Sequence, residues 1–227
     1  MKIAFLMRGP IRPSESYVLE NLDFMINTSL QNIDNKNITT FIVTSEYNSI
    51  LNYFDNSIIL KRFSDEKIFE LINSNHMNNA FNQFYSSKTA IELITKLESF
   101  DFIIHTRTDI KVDISNLENE WFKKDTYQTI HIGDGTPAFE QNSLSYHCDH
   151  FSIAEPEIML KAWNYHSFNL LKIFFANSNF PERILDFIIQ INNVKSERAN
   201  IRYWECKNKI KIASIEETMK WRKGSLL

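Results

Sequence analysis

The sequence predicts an α/β chain built on a mostly parallel central sheet with helices on both faces. Short, continuously apolar runs, Ile3–Met7 and Phe102–Thr106 among them, alternate with longer segments of helical periodicity. No hairpin turn joins the early runs, so successive strands need crossovers and pair in parallel. The runs lack the polar alternation of a half-exposed strand, which fits burial on both faces.

Ile3–Met7 starts almost at the terminus and ends at the turn chemistry of Arg8-Gly9-Pro10, giving a first strand. Ser14 caps a helix through about Leu30, with Glu15 in its first turn. Thr39–Thr44 (TTFIVT) is β-branched and apolar, a second strand. Tyr47–Phe54 reads as a short helix and Ser57–Leu60 as a third strand. Two helices follow, Ser64–Asn73 and Asn78–Glu98. In the second, Phe84, Ile91 and Ile94 share a face that Ala90, Leu93 and Leu97 extend. Phe102–Thr106 is the fourth strand, inside the buried segment Phe100–Ile110 (FDFIIHTRTDI).

Beyond Asp109 the pattern changes. Tyr127–Ile132 and His150–Ala154 read as strands around a polar loop containing Gly133–Pro137. Pro156 opens a helix to about Phe175. Pro181-Glu182 opens another, with Ile184, Leu185, Ile188 and Ile189 as its apolar face. Strands near Ile201–Glu205 and Lys209–Ala213 make a smaller antiparallel C-terminal part. No linker composition divides the 227 residues, so residues 1–227 are expected to form one domain.

A formal net charge of -3 gives no electrostatic case for a nucleic-acid partner. Cys148 and Cys206 form no spaced metal or redox motif and are read as free thiols in a reducing compartment; a disulfide stays an alternative. The opening MKIAFLMRGP is too short for a signal-peptide core, and no apolar stretch reaches membrane-span length. The chain is therefore expected in the cytoplasm. The basic, Trp-containing stretch Lys220–Leu227 leaves room for peripheral membrane contact, against the simpler reading of a solvated end.

In an open parallel sheet, ligands bind beyond the carboxyl ends of the strands. The first strand ends on Arg8, Gly9 and Arg12, and the fourth on His105, Arg107 and Asp109. Parallel strands put both sets on one edge. Arginine forks suit a diphosphate, and a carboxylate can hold a bridging metal or accept bonds from sugar hydroxyls. The bland alternatives are a local Arg107–Asp109 salt bridge and solvated Arg8 and Arg12. No glycine-rich phosphate loop or Walker lysine is present, which argues against nucleotidyl or phosphoryl transfer.

His147, Asp149 and His150 form a second polar set. Its spacing with Cys148 does not match a zinc pattern, and strand alternation would split it across two faces. The Gly133–Pro137 loop could wall the site or be an ordinary turn. Trp163 and His166 are expected in the core, His131 in the core or at a sheet edge. Glu46 and Tyr47, after the second strand, are candidate contacts to a nucleobase or ribose.

Three segments carry a resemblance. The opening strand with Arg-Gly-Pro-Ile-Arg resembles the SGxxR start of GT-A-like glycosyltransferases that build lipopolysaccharide and capsule, including the WavE-type family. The helix Ala80–Glu98 leading into Phe100–Asp109 is similar to their E-x-x-YDxxIRTRxD segment, and Cys148–Ala154 to their D-x-F-x-I/V-G segment. Together these span roughly Met1–Phe187 as short motifs. The resemblance implies a GT-A-like, Rossmann-like fold and transfer of sugar from a nucleotide-sugar donor to a glycan or lipid-linked glycan acceptor. Arg8, Gly9, Arg12, Arg107 and Asp109 would then bind the donor, Asp149 would serve as catalytic base or acceptor ligand, and His147 and His150 would position the acceptor. A divalent metal, Mn or Mg, would sit on Asp109. The chain departs from the metal-binding Asp-x-Asp motif of that fold by carrying Arg107 in place of the first Asp, so Arg107 could act on the diphosphate directly. A non-catalytic nucleotide-sugar or glycan-binding protein of the same fold is the alternative.

Overall fold

The computed structural model describes residues 1–12, 14–31, 33, 36–73, 78–115, 128–134, 147–178, 181–199, 202–205 and 210–212. The strands are β1 (Lys2–Arg8), β2 (Asn37–Thr44), β3 (Asn56–Ile59), β4 (Phe102–Arg107), β5 (Ile110–Asp113), β6 (Thr129–Asp134), β7 (His147–Ala154), β8 (Lys195–Ala199), β9 (Arg202–Glu205) and β10 (Ile210–Ile212). The α-helices are α1 (Glu15–Phe24), α2 (Asp65–Ile72), α3 (Asn78–Leu97), α4 (Pro156–Trp163), α5 (Phe168–Asn177) and α6 (Pro181–Ile191).

Seven strands form one sheet in the order β3-β2-β1-β4-β7-β6-β8. Pairing is parallel from β3 through β4 and again between β6 and β8. β7 alone runs against its neighbours β4 and β6. A second, antiparallel sheet joins β10, β9 and β5. The architecture is therefore α/β with a mostly parallel sheet, as the sequence predicts.

Strand alternation divides the core in two. Ala4, Leu6 and Ile103 face one layer with α2 to α6, where Phe84, Trp163 and Phe175 pack. Ile3, Phe5, Met7 and Ile104 face the other, with Val18 and Leu22 of α1. Arg8 continues the row of Ala4 and Leu6, and His105 and Arg107 continue that of Ile103, because strand side chains repeat every second residue. Parallel register sets Arg8 directly against Arg107. The chain goes left from β1 to β2 and β3, then right to β4, so these two arginines flank the point where strand order reverses.

Several local expectations change. Phe100–Ile110 is two strands, because the chain turns at Thr108-Asp109 between β4 and β5. The helix expected from Pro156 to Phe175 breaks after Trp163; His166 sits there at φ 56 and is exposed, so it is not a core residue. Ser167 then starts α5 by accepting from the Leu170 N–H. On α3, Leu93 and Leu97 are 39% and 62% exposed and lie off the buried face that holds Ala80, Phe84, Ala90, Ile91 and Ile94. β5 and β8 have sequences IKVD and KSERA, too polar or short to signal themselves. Among the described residues no helix is long and apolar enough to cross a membrane. Lys220–Leu227 and Cys206 lie outside them.

Candidate active site

The residues expected at the ends of β1 and β4 line or back one cleft. Arg8, Gly9, Arg12, Arg107 and Asp109 border an open cavity of about 740 Å³, solvent included. Thr44 and Ser45 after β2, Lys61 and Arg62 after β3, and Asn79, Gln83 and Ser86 of α3 complete it. Five cationic side chains line the cavity against one carboxylate, so it suits a polyanion.

The β1–α1 loop is held to the β4–β5 turn. Gly9 has φ +124 and donates its N–H to Val43 O at 3.0 Å. A Cβ there would stand 3.0 Å from Thr108 Oγ1, which itself donates to Pro10 O at 2.6 Å. The Thr108 N–H donates to Arg8 O, and Asn21 of α1 donates to Thr108 O. Glycine is required by the backbone angle as well as by the close approach.

Arg8 is buried, 3% exposed, and its hydrogen bonds go to His105 and Asp149 inside the protein. Its Nε donates to His105 Nε2 at 3.0 Å, and Nη2 donates to Asp149 O at 2.9 Å and Asp149 Oδ2 at 3.2 Å. The guanidinium also lies 5.8 Å from the Trp163 ring. Burial lowers its pKa to about 10, against the raising effect of Asp149, and it stays charged at neutral pH. His105 is fully buried; burial first and Arg8 second push its pKa well below 6.5. A neutral ring that accepts at Nε2 carries its proton on Nδ1, where Ser152 Oγ stands at 3.3 Å. Ser87 Oγ lies 3.3 Å from Nε2 and Trp163 packs edge-on at 4.7 Å. His105 is thus a support for Arg8 and not a titrating group.

Arg107 holds Asp109 through two parallel bonds, Nε to Oδ1 and Nη2 to Oδ2, both 2.8 Å. Arg12 Nη2 approaches Asp109 Oδ2 at 3.4 Å from a half-exposed position. Burial pushes the Asp109 pKa up, but the Arg107 bonds and charge, with Arg12, bring it down to about 2. Asp149, 2% exposed, is raised by burial and lowered more by His150, Arg107 and Arg8, so it too is ionised. Arg107 Nη1 lies 3.8 Å from Asp149 Oδ2, and His150 Nε2 lies 3.5 Å from Asp149 Oδ1. Because β7 is antiparallel, its beginning, not its end, reaches this edge. His147 starts the strand there; its side chain is not among those described.

These oxygens do not form a metal centre as they stand. Both Asp109 oxygens face guanidinium groups, Asp149 Oδ2 faces those of Arg8 and Arg107, and no three His, Cys, Asp or Glu side chains converge among the described residues. The donor set expected at Asp109 for a divalent ion does not fit; the chemistry present is that of arginines around acids.

Sequence reasoning missed several residues. Glu46 and Tyr47 do not border the cleft, and Tyr47 is 84% exposed; Thr44 and Ser45, two residues earlier, take their place. Lys61 and Arg62 were findable from their position just beyond β3; the start of α3, a helix further along the chain, was not. Gln83 carries a buried Nε2 with no protein partner facing this cavity wall. Glu182, in the first turn of α6, has its pKa raised to about 7 by burial and then by the Asp149 charge. Only the fold could bring α6 to β7. His131 is buried in β6, and burial lowers its pKa to about 4 despite Glu197. Gly133 and Asp134 end β6 beside a register irregularity, and the rest of the Gly133–Pro137 loop lies outside the described residues.

No protein-family model and no curated protein matches the chain. Solved structures do. The galactosyltransferase LgtC, in complex with donor and acceptor sugar analogs, aligns over 88% of this chain and 73% of its own, with 10% identity and a TM-score of 0.51. An active-site mutant of LgtC aligns over the same shares at 12% identity and a TM-score of 0.48. At these identities the likeness is one of fold, α/β and GT-A-like.

Proposed function

We propose that the chain is a single-domain glycosyltransferase moving a sugar from a nucleoside-diphosphate donor to a glycan hydroxyl. The observation that carries this is the arginine-lined cleft at the strand-order reversal of a GT-A-like sheet. Arg12, Lys61, Arg62 and Arg107 meet the diphosphate, while Gly9 keeps the backbone low beneath it. Thr44, Ser45 and Gln83 offer polar groups for ribose and base. Charge developing on the leaving diphosphate is met by guanidinium groups already in place.

The acceptor hydroxyl attacks the anomeric carbon, the bond from that carbon to the diphosphate breaks, and the diphosphate keeps the electron pair. Asp149 takes the hydroxyl proton or orients the hydroxyl, with His150 beside it and His147, at the start of the same strand, a further acceptor contact. The three sequence resemblances support a role in lipopolysaccharide, capsule or glycoprotein glycan assembly with a glycan or lipid-linked acceptor, and the basic, Trp-containing composition of Lys220–Leu227 suits peripheral membrane contact.

A second reading is a nucleotide-sugar or glycan-binding protein without turnover. It is favoured by one observation: Asp149 is tied to Arg8 through both its carbonyl and its carboxylate, which weakens it as a base. A thermal-shift screen of nucleoside diphosphates and their sugars tests the donor site. A ligand at about 100 times its dissociation constant raises stability by about 2.7 kcal/mol. No shift with any nucleotide defeats the donor assignment, while a shift without sugar transfer or hydrolysis selects the second reading.

A further inference from the structure

We infer that the donor diphosphate is held by arginines without a bridging divalent cation, and that Asp109 is the positioning partner of Arg107 rather than a metal ligand. This inference rests on the nucleotide-sugar reading above and deepens it.

A metal-bridged site needs carboxylate oxygens turned toward the ligand. Here Arg107 closes both Asp109 oxygens at 2.8 Å, and Arg12 approaches the same carboxylate at 3.4 Å. The other buried acid, Asp149, is satisfied by Arg8 and faced by Arg107. Around these acids the cavity wall carries Lys61 and Arg62 in addition to the three arginines. A divalent ion entering here would meet more positive than negative charge and would have to break a two-bond Arg–carboxylate pair to find a ligand. A diphosphate meets the opposite field. Its oxygens meet planar guanidinium forks, one of them held in place by the two bonds from Arg107 to Asp109. The parallel register that sets Arg8 against Arg107 makes this arrangement a property of the sheet and not of a loose side chain. Arg8 supports it from behind by fixing Asp149, which in turn stands 3.8 Å from Arg107.

The test uses the full chain and isothermal titration with UDP, GDP, CDP and ADP, in EDTA and again in manganese. The expected result is a dissociation constant for the preferred nucleotide that agrees within about twofold between the two buffers. Binding seen only with manganese, or at least about tenfold tighter with it, overturns the inference and leaves the nucleotide-sugar reading standing. No binding in either buffer overturns both.

Two variants give an independent readout. Arg107→Met should weaken nucleotide binding at least about tenfold in EDTA, and Asp109→Asn, which replaces one of the two oxygens facing Arg107 with a donor, should weaken it by a similar factor in EDTA and in manganese, because Asp109 acts through Arg107 in both. If Asp109→Asn instead abolishes a manganese-dependent component, Asp109 is a metal ligand and the inference fails. Circular dichroism and melting curves confirm that both variants fold. Should Arg107→Met not fold, Arg12→Met, at a half-exposed position, replaces it, with weakened binding in EDTA expected and unchanged binding counting against the arginine clamp.

Discussion

Asp149 and Glu182 are acids that feel each other's charge, and their environments push them in opposite directions. Asp149 is kept ionised by His150, Arg107 and Arg8 against its burial, while Glu182 is raised to about 7 by burial and by Asp149 itself. A carboxyl near neutrality is the better tuned proton acceptor, an ionised one the better fixed charge. Asp149→Asn and Glu182→Gln should each lower transfer, and only the Glu182 variant should remove a rate increase between pH 6 and 8. Stability carries the same signature. Because the folded pKa of Glu182 lies above the ordinary 4.5, the native state holds a proton that the unfolded chain has released, and stability falls as pH rises between those values. Glu182→Gln should therefore stabilise by about 1–3 kcal/mol at pH 8 and lose that advantage below pH 4.5, read from denaturant curves. For Arg8 the expectation is harsher. Arg8→Met strands a buried Asp149 carboxylate and should cost about 3–5 kcal/mol, with Asp149→Asn in the same chain recovering part of it.

Elements place these residues, and they were unevenly legible. β1, β2 and β4 announced themselves through unbroken apolar runs, since burial on both faces leaves no polar position to blur the pattern. β5 and β8 did not, because their short polar sequences gain strand form from partners far along the chain, β9 and β6. The break between α4 and α5 was hidden for a related reason: helical periodicity continues across it, and a left-handed residue that is not glycine gives no signal. His166 can be tested directly. His166→Gly should raise stability by up to about 1 kcal/mol, and His166→Val should lower it, both measured as shifts in melting temperature. For the site, Arg8, Gly9, Arg107 and Asp109 were readable as strand-end residues. The committed state of Asp109 was not, because only side-chain geometry reveals that Arg107 already occupies both oxygens.

At the scale of the whole molecule, the cleft draws on β1, β2, β4, the connection after β3 and the first turns of α3, while α5 and β8 contribute nothing to it. A nucleotide bound there should slow amide exchange around Arg8–Arg12, Thr44–Ser45 and Asn79–Ser86 and leave local exchange in α5 unchanged, which hydrogen–deuterium mass spectrometry would resolve. Protection confined to α5 and α6 would put the ligand elsewhere. The two core layers explain the division. Arg8 and Arg107 belong to the layer that holds α3 and Trp163, the side of the sheet on which the protected residues of α3 lie.

The close pass of Gly9 over Thr108 also makes a statement about ancestry. Two residues 99 positions apart share one small volume, a hydroxyl on one side and the absence of a methyl on the other. Because Gly9 also sits at φ +124, related chains that carry a side chain at position 9 should show a rebuilt loop and not merely a smaller residue at 108. Position 9, its loop and position 108 are expected to change together or not at all.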